Sequence, residues 1–204
     1  MSTVSASDVK ALRDRTGAGM MDCKAALAEA QGDLDRAIEI LRVRGQASAA
    51  KRSGRTTSEG VVASYIHATG KVGALVEVQC ETDFVARNDE FRDFAREVAL
   101  HVAGAPTPPL YVTTDEIPDA DREAERSVHE QKAREGGKPD EVIDKIVSGQ
   151  LGKWEREIAL LDQEHINSDR YDGKTIGDLR TEIAARTGEN VRIARFARFA
   201  VGEE

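Results

Sequence analysis

The sequence predicts an α+β protein, with a small three-helix domain at the N-terminus followed by an antiparallel sheet that is packed with helices and carries a helical hairpin. Three observations predict it. Glycines close three short helical patterns in succession before residue 46. From Glu59 the apolar period switches to two, and from Phe91 it returns to helical spacing until a final alternating stretch, VRIARFARFAV. With aromatics at only 4% and charged residues at 32% of 204, the core must rest on Val, Ile, Leu and Ala beneath much exposed helix.

The N-terminal domain, residues 1–45, holds helical patterns over Ser7–Thr16, Met20–Gln31 and Leu34–Arg44, ended by Gly17, Gly32 and Gly45. Val9 with Leu12, Cys23 with Leu27, and Ile38 with Leu41 give each helix one small stripe, enough for a compact domain that is marginal alone. Met20 and Met21 open the second helix, where adjacent positions point about 100° apart. Two roles stand open for them: core filling, or an exposed thioether that meets a partner helix beside Arg13.

Residues 46–58 read as a linker rich in Ser, Thr, Gly and basic residues, although Ala47, Ala49 and Ala50 would let the third helix extend. Residues 59–204 form the core domain. VVASYIH and KVGALVEVQC flank a Thr69-Gly70 turn as a strand hairpin, with Val72, Ala74, Val76, Val78 and Cys80 on one face. Phe91, Phe94, Ala95, Val98 and Val102 make a helix that covers the sheet and ends near Gly104. A helical hairpin spans about 115–161, broken at Gly136-Gly137 and reopened at Pro139. Its first helix offers Ala120, Ala124 and Val128 as a stripe. Its second carries Ile143, Ile146, Val147, Trp154, Ile158 and Leu161, a seam able to pack on the first helix, on the core or on another chain. Thr175–Thr187 adds one more helix before the last strand.

Several function classes find little support. The N-terminus lacks an apolar signal region and no run is long enough to span a membrane, so the expectation is a cytoplasmic protein without membrane contact. Two cysteines and four scattered histidines offer no metal-ligand spacing, and no metal, cofactor or catalytic constellation is expected. Gly173-Lys174-Thr175 has the tail of a phosphate-binding loop, but Ser168 stands where the loop's first glycine belongs, and Thr175 with Asp178 reads as a capping box. Direct nucleotide binding is therefore not expected. Residues 1–55 hold ten Lys/Arg against seven Asp/Glu, a balance of +3 in a chain of net charge -8. Arg42, Arg44, Lys51, Arg52 and Arg55 thus support an alternative, a nucleic-acid or ribosome-binding module, though no aromatics are interleaved for base stacking.

The stretch CETDFVARNDEF carries the sharpest question. Phe84 lies one heptad before Phe91, so on an unbroken helix it would be core. Asn88, however, is a good cap for a helix whose first turn holds Asp89 and Glu90, and Thr82 can cap a separate turn of Asp83, Phe84 and Val85. An acid and an aromatic on such a corner suit insertion into a partner. Both readings stand on the residues alone.

KALRDRTGAGMMDCKAALAEAQGDLDRAIEILRVRG, SYIHATGKVGALVEV, CETDFVARNDEF, GKPDEVIDKIVSGQLGKW and RFARFAVG together resemble the bacterial elongation factor Ts family over essentially the whole chain. The resemblance implies a ubiquitin-associated-like N-terminal domain and a guanine nucleotide exchange factor that binds elongation factor Tu carrying GDP. It implies that Thr82, Asp83, Phe84 and Val85 form the motif that disturbs the GTPase's magnesium and phosphate site, and that Arg13, Met20 and Met21 contact the GTPase. The single strand pair, where longer members carry two related subdomains, implies the short form and a homodimer.

Overall fold

A computed structural model describes residues 4–137 and 139–203. The chain forms α1 (Ala6–Thr16), α2 (Met20–Glu29), α3 (Leu34–Arg52), β1 (Glu59–Ile66), β2 (Val72–Cys80), a one-turn α4 (Asp83–Ala86) and α5 (Asp89–Gly104). It continues as α6 (Asp119–Glu135), α7 (Asp140–Ile158), a one-turn α8 (Ser168–Tyr171), α9 (Ile176–Thr187) and β3 (Arg192–Ala200). The strands make one antiparallel sheet in the order β1-β2-β3, so the fold is α+β as the sequence predicts. Two compact units divide the described chain. The first comprises the residues up to Val62, Glu77–Ala95 and Leu179–Arg192; the second comprises Ala63–Val76, Arg96–Asp178 and the residues from Ile193 onward.

In the first unit, α1 begins on a capping box: the Asp8 N–H donates to Ser5 Oγ at 3.1 Å and the Ser5 N–H to Asp8 Oδ2 at 3.4 Å. It ends at Gly17, whose φ of 68° suits a left-handed cap donating to the Arg13 carbonyl. Leu12, Cys23, Ala26, Leu27, Ala30 and Ala37 are the buried center of the three helices. Helix α3 does not stop at the expected Gly45 but runs to Arg52, so only residues 53–58 of the expected 46–58 linker are free of helix or strand. An interior glycine costs about 1 kcal/mol, and the alanine-rich continuation together with the Arg52 guanidinium bonds back to the Ser48 carbonyl and hydroxyl carry the helix past it.

In the second unit, His67 and Val72 close the β1–β2 turn through a 2.9 Å backbone bond. The latter half of α5 buries Val98, Ala99, His101, Val102 and Ala103. The hairpin of α6 and α7 is present, but its contact face on α6 is not the expected one. Ala120, Ala124 and Val128 are exposed, while Arg122, Glu125, Arg126 and His129 are half-buried and Ala133 packs with Ile143 and Val147. Arg122 explains the rotation, because its guanidinium donates to Glu155 at 2.8 Å and to the carbonyls of Ile117 and Thr114. Satisfying that many donors at once outweighs burying two methyl groups. On α7, Ile143, Val147, Leu151 and Ile158 are buried, whereas Trp154 is only half-buried.

His101 and His165 lie buried together, with ring centers 5.6 Å apart. His101 Nε2 bonds Gln163 Oε1 at 2.8 Å and its Nδ1 accepts the Ile166 N–H. His165 Nδ1 accepts the Asn167 N–H, and its Nε2 faces Glu97. Each ring is thus bonded as the neutral tautomer with the proton on Nε2.

Candidate functional site

Thr82, Asp83, Phe84 and Val85 lie at the corner between β2 and α5 in the first unit. Strand β2 ends at Cys80, whose thiol donates to the Thr82 carbonyl at 3.2 Å. Thr82 caps the one-turn α4, accepting the Val85 N–H on its hydroxyl at 3.4 Å. The chain then breaks at Asn88, whose carbonyl and side chain take the Arg92 and Glu90 N–H groups that start α5. This separate turn excludes the reading in which Phe84 continues the Phe91 stripe: Phe91 is fully buried, whereas Phe84 is 80% exposed. Asp83 pairs with Arg87 one turn on, at 3.0 Å, on the open side of the corner.

Met20 and Met21 are 61% and 76% exposed, and Arg13 is exposed as well. Core filling is therefore not their role; Cys23, Ala26 and Leu27 supply the buried face of α2 instead. Gly19, which precedes Met20, caps the helix without a side-chain bond.

The residues that hold these corners escaped the sequence analysis. After α9 ends at Thr187, Gly188 adopts a φ of 74° and its N–H bonds the Ala184 carbonyl. That turn delivers the Glu189 carboxylate to the end of β2, where Oε2 accepts the Glu81 and Thr82 N–H groups at 3.0 and 3.1 Å and Oε1 accepts the Thr82 hydroxyl at 2.6 Å. Asn190 completes the exchange. Its N–H donates to the Glu81 carboxylate at 2.6 Å, and its side-chain amide donates to the carbonyls of Ser53 and Arg55 just beyond α3. Nearby, the Arg186 side chain lies so close over Gly17 that a Cβ there would collide with it, and its guanidinium also approaches Glu90 at 3.9 Å. The only sequence signal is a helix-stopping glycine followed by an acid and an amide; the 107 residues separating Glu189 from Thr82 hide the rest.

Thr175 and Asp178 form the expected capping box at the start of α9, with the Asp178 N–H to Thr175 Oγ1 at 3.0 Å and the Thr175 N–H to Asp178 Oδ2 at 3.2 Å. This capping role accounts for Thr175 without a phosphate. Both cysteines are buried and unpaired, and burial first, then Glu189, pushes the Cys80 thiol up to about 11. Among the described residues no group of His, Cys, Asp and Glu is arranged to hold a metal ion, and no helix is long and apolar enough to cross a membrane.

Sequence comparison places this α+β chain in a class of translation elongation factors. The family model described as Elongation factor TS matches residues 4–203, and the chain belongs to that family. It is 50% identical to the Elongation factor Ts of Desulfosudis oleivorans over 203 residues, covering 100% of both chains. It is 51% identical to that of Caldanaerobacter subterraneus over 200 residues, 98% of each. It is also 51% identical to that of Carboxydothermus hydrogenoformans over 195 residues, 96% of this chain and 88% of the relative.

Proposed function

We propose that this protein is a guanine nucleotide exchange factor that binds elongation factor Tu carrying GDP and promotes replacement of GDP by GTP. The observation that carries this reading is the exposed Phe84 beside Asp83 on a capped turn outside the long helix. Leaving a phenylalanine in water forgoes about 1.5–3 kcal/mol of transfer free energy, which a pocket on a partner can recover. In the GTPase, Mg²⁺ ties the GDP phosphates to the protein. A ring and a carboxylate inserted beside that ion weaken the nucleotide's strongest electrostatic anchor.

Arg13, Met20 and Met21 supply a docking surface for the GTPase, where flexible thioethers adapt to apolar contacts. No covalent step is required of this chain, so it is not an enzyme in the bond-making sense, and it needs no cofactor or nucleotide of its own. Coupling is reciprocal: a factor that lowers the GTPase's affinity for guanine nucleotides is itself bound more weakly by the nucleotide-loaded forms, so incoming GTP displaces it. The proposed place of action is the cytoplasm. Of the five basic residues behind the competing nucleic-acid reading, four bond acceptors within the chain: Arg42 with Glu39, Arg44 with Glu29, Arg52 with Ser48 and Arg55 with Glu81.

The proposed assembly is a homodimer. Ile66, Leu75, Phe199 and Val201 line one open hollow of the second unit, with Phe199 and Val201 72% and 77% exposed. Clustered side chains of this kind on a sheet face mark a contact surface. A second copy brings a matching apolar face by symmetry.

Stopped-flow release of fluorescent GDP from elongation factor Tu tests the exchange reading. Wild type accelerates release, and Asp83→Ala, Phe84→Ala and the double variant slow it by non-additive amounts, since acid and ring act on one site. Unchanged acceleration by a folded double variant refutes the role assigned to the corner.

A further inference from the structure

We infer that Glu189 is the positioning residue of the Asp83–Phe84 corner, the group that holds α4 in the orientation a partner meets. The inference rests on the exchange reading above and adds to it the part of the chain that aims the motif.

The geometry separates this carboxylate from an ordinary surface acid. At the end of β2 the Glu81 and Thr82 N–H groups need acceptors, and one oxygen of Glu189 accepts both. Its second oxygen takes the Thr82 hydroxyl, whose own lone pair caps α4 by accepting the Val85 N–H. Position is thereby relayed from the carboxylate through Thr82 to the turn that bears Phe84. A four-residue helix lacks the length to hold itself, because nucleation costs more than so few bonds return. External bonds therefore decide where it points.

Glu189 is itself held on both sides. Gly188 fixes the chain direction before it, and Asn190 after it is tied to Glu81, Ser53 and Arg55. The short segment from Gly188 to Asn190 is a clasp that joins the end of α3, the end of β2 and the start of α4 within one unit. Glu189 acts on the corner through its bonds to the Glu81 N–H and to the N–H and hydroxyl of Thr82.

Saturation kinetics with the full chain and elongation factor Tu loaded with fluorescent GDP test the proposal. Glu189→Ala lowers the maximal release rate by about 10- to 100-fold, the range a misplacement of about 1 Å brings. The concentration giving half-maximal rate changes less than about twofold, because the proposed docking surface of Arg13, Met20 and Met21 is untouched. Glu189→Gln recovers most of the rate, since a neutral amide can accept the two N–H groups through its oxygen and donate to the Thr82 hydroxyl. In a Phe84→Ala background, Glu189→Ala has a smaller effect than in wild type, because only the Asp83 carboxylate is left to aim.

Thermal melts accompany each variant. If Glu189→Ala fails to fold, Glu189→Asp carries the test, since its carboxylate is one methylene short of the Glu81 and Thr82 donors. A fall in its maximal rate is expected, and a wild-type rate overturns the clasp. A wild-type rate for folded Glu189→Ala, with Phe84→Ala slow, overturns the clasp and leaves the exchange reading intact. Full additivity of the two changes also overturns it. Failure of wild type to accelerate GDP release overturns the exchange reading itself, whereas a wild-type rate for Phe84→Ala removes the ring's role and, with it, the clasp's.

Discussion

Phe84 and Phe91 stand seven residues apart, yet Phe91 is completely buried in the first turns of α5 while Phe84 projects into solvent from the turn before it. The break at Asn88 separates them. Phe91→Ala is expected to destabilize the fold by about 3–5 kcal/mol, and Phe84→Ala to lie within about 0.5 kcal/mol of wild type. Urea denaturation of both variants checks this, and comparable losses would place Phe84 in the core.

The two methionines make a parallel comparison within the three-helix domain. Met20→Ala and Met21→Ala should leave the melting temperature nearly unchanged while raising the factor concentration needed for half-maximal GDP release. Leu27→Ala, at a fully buried position of the same helix, should cost about 2–5 kcal/mol. A stability loss in the methionine variants as large as that of Leu27→Ala would contradict a docking role.

Stability should fall with acidification below about pH 6.5. Burial pushes His101 and His165 below the ordinary value of 6.5; Gln163 opposes the shift at His101 and His165 adds to it, while Glu97 opposes it at His165 and Arg170 adds to it. Both lowered values mean that the unfolded chain binds more protons than the folded one. Their contribution is whole above pH 6.5 and is lost as pH drops toward the lowered folded values, by at most about 1.4 kcal/mol per pH unit for each ring. Protonation would also place an N–H at Nδ1 against the Ile166 or Asn167 N–H that it now accepts. Melting curves from pH 7.5 to 5 for wild type and His101→Gln check this. The variant should show the shallower slope, whatever its absolute stability, and superimposable slopes would exclude a contribution from His101.

Charge on the exposed sheet face should dissociate the proposed dimer. Phe199→Asp, alone or with Leu75→Asp, is expected to sediment as a monomer at micromolar concentrations where wild type sediments as a dimer. A wild-type monomer that retains full exchange activity would remove the homodimer from the mechanism.

Local chemistry wrote much of this protein legibly into its sequence. Alternation over 72–80, the helical stripe from Phe91, the Thr82 and Asn88 caps and the Thr175–Asp178 box all depend on neighbors within a few residues, and each is found where the pattern puts it. The corner at Phe84 was visible as an alternative because capping is local. Which alternative holds was decided by tertiary structure, as was the exposure of Met20 and Met21, because burial depends on what packs from elsewhere in the chain.

The continuation of α3 past Gly45 decided between two local signals, whereas the turning of α6 toward its Arg122 face went against a local one. Alanine propensity and back-bonding outweighed one glycine, and a guanidinium with several acceptors outweighed a weak alanine stripe. Glu189 marks the limit of reading along the chain. Its three hydrogen bonds join segments more than a hundred residues apart, and no period, cap or composition signals a partner at that distance. Sequence by itself determined most of the elements and the caps of the corner; only the folded chain, by bringing distant donors to one carboxylate and packing what surrounds it, decided that Phe84 is exposed and how its turn is held.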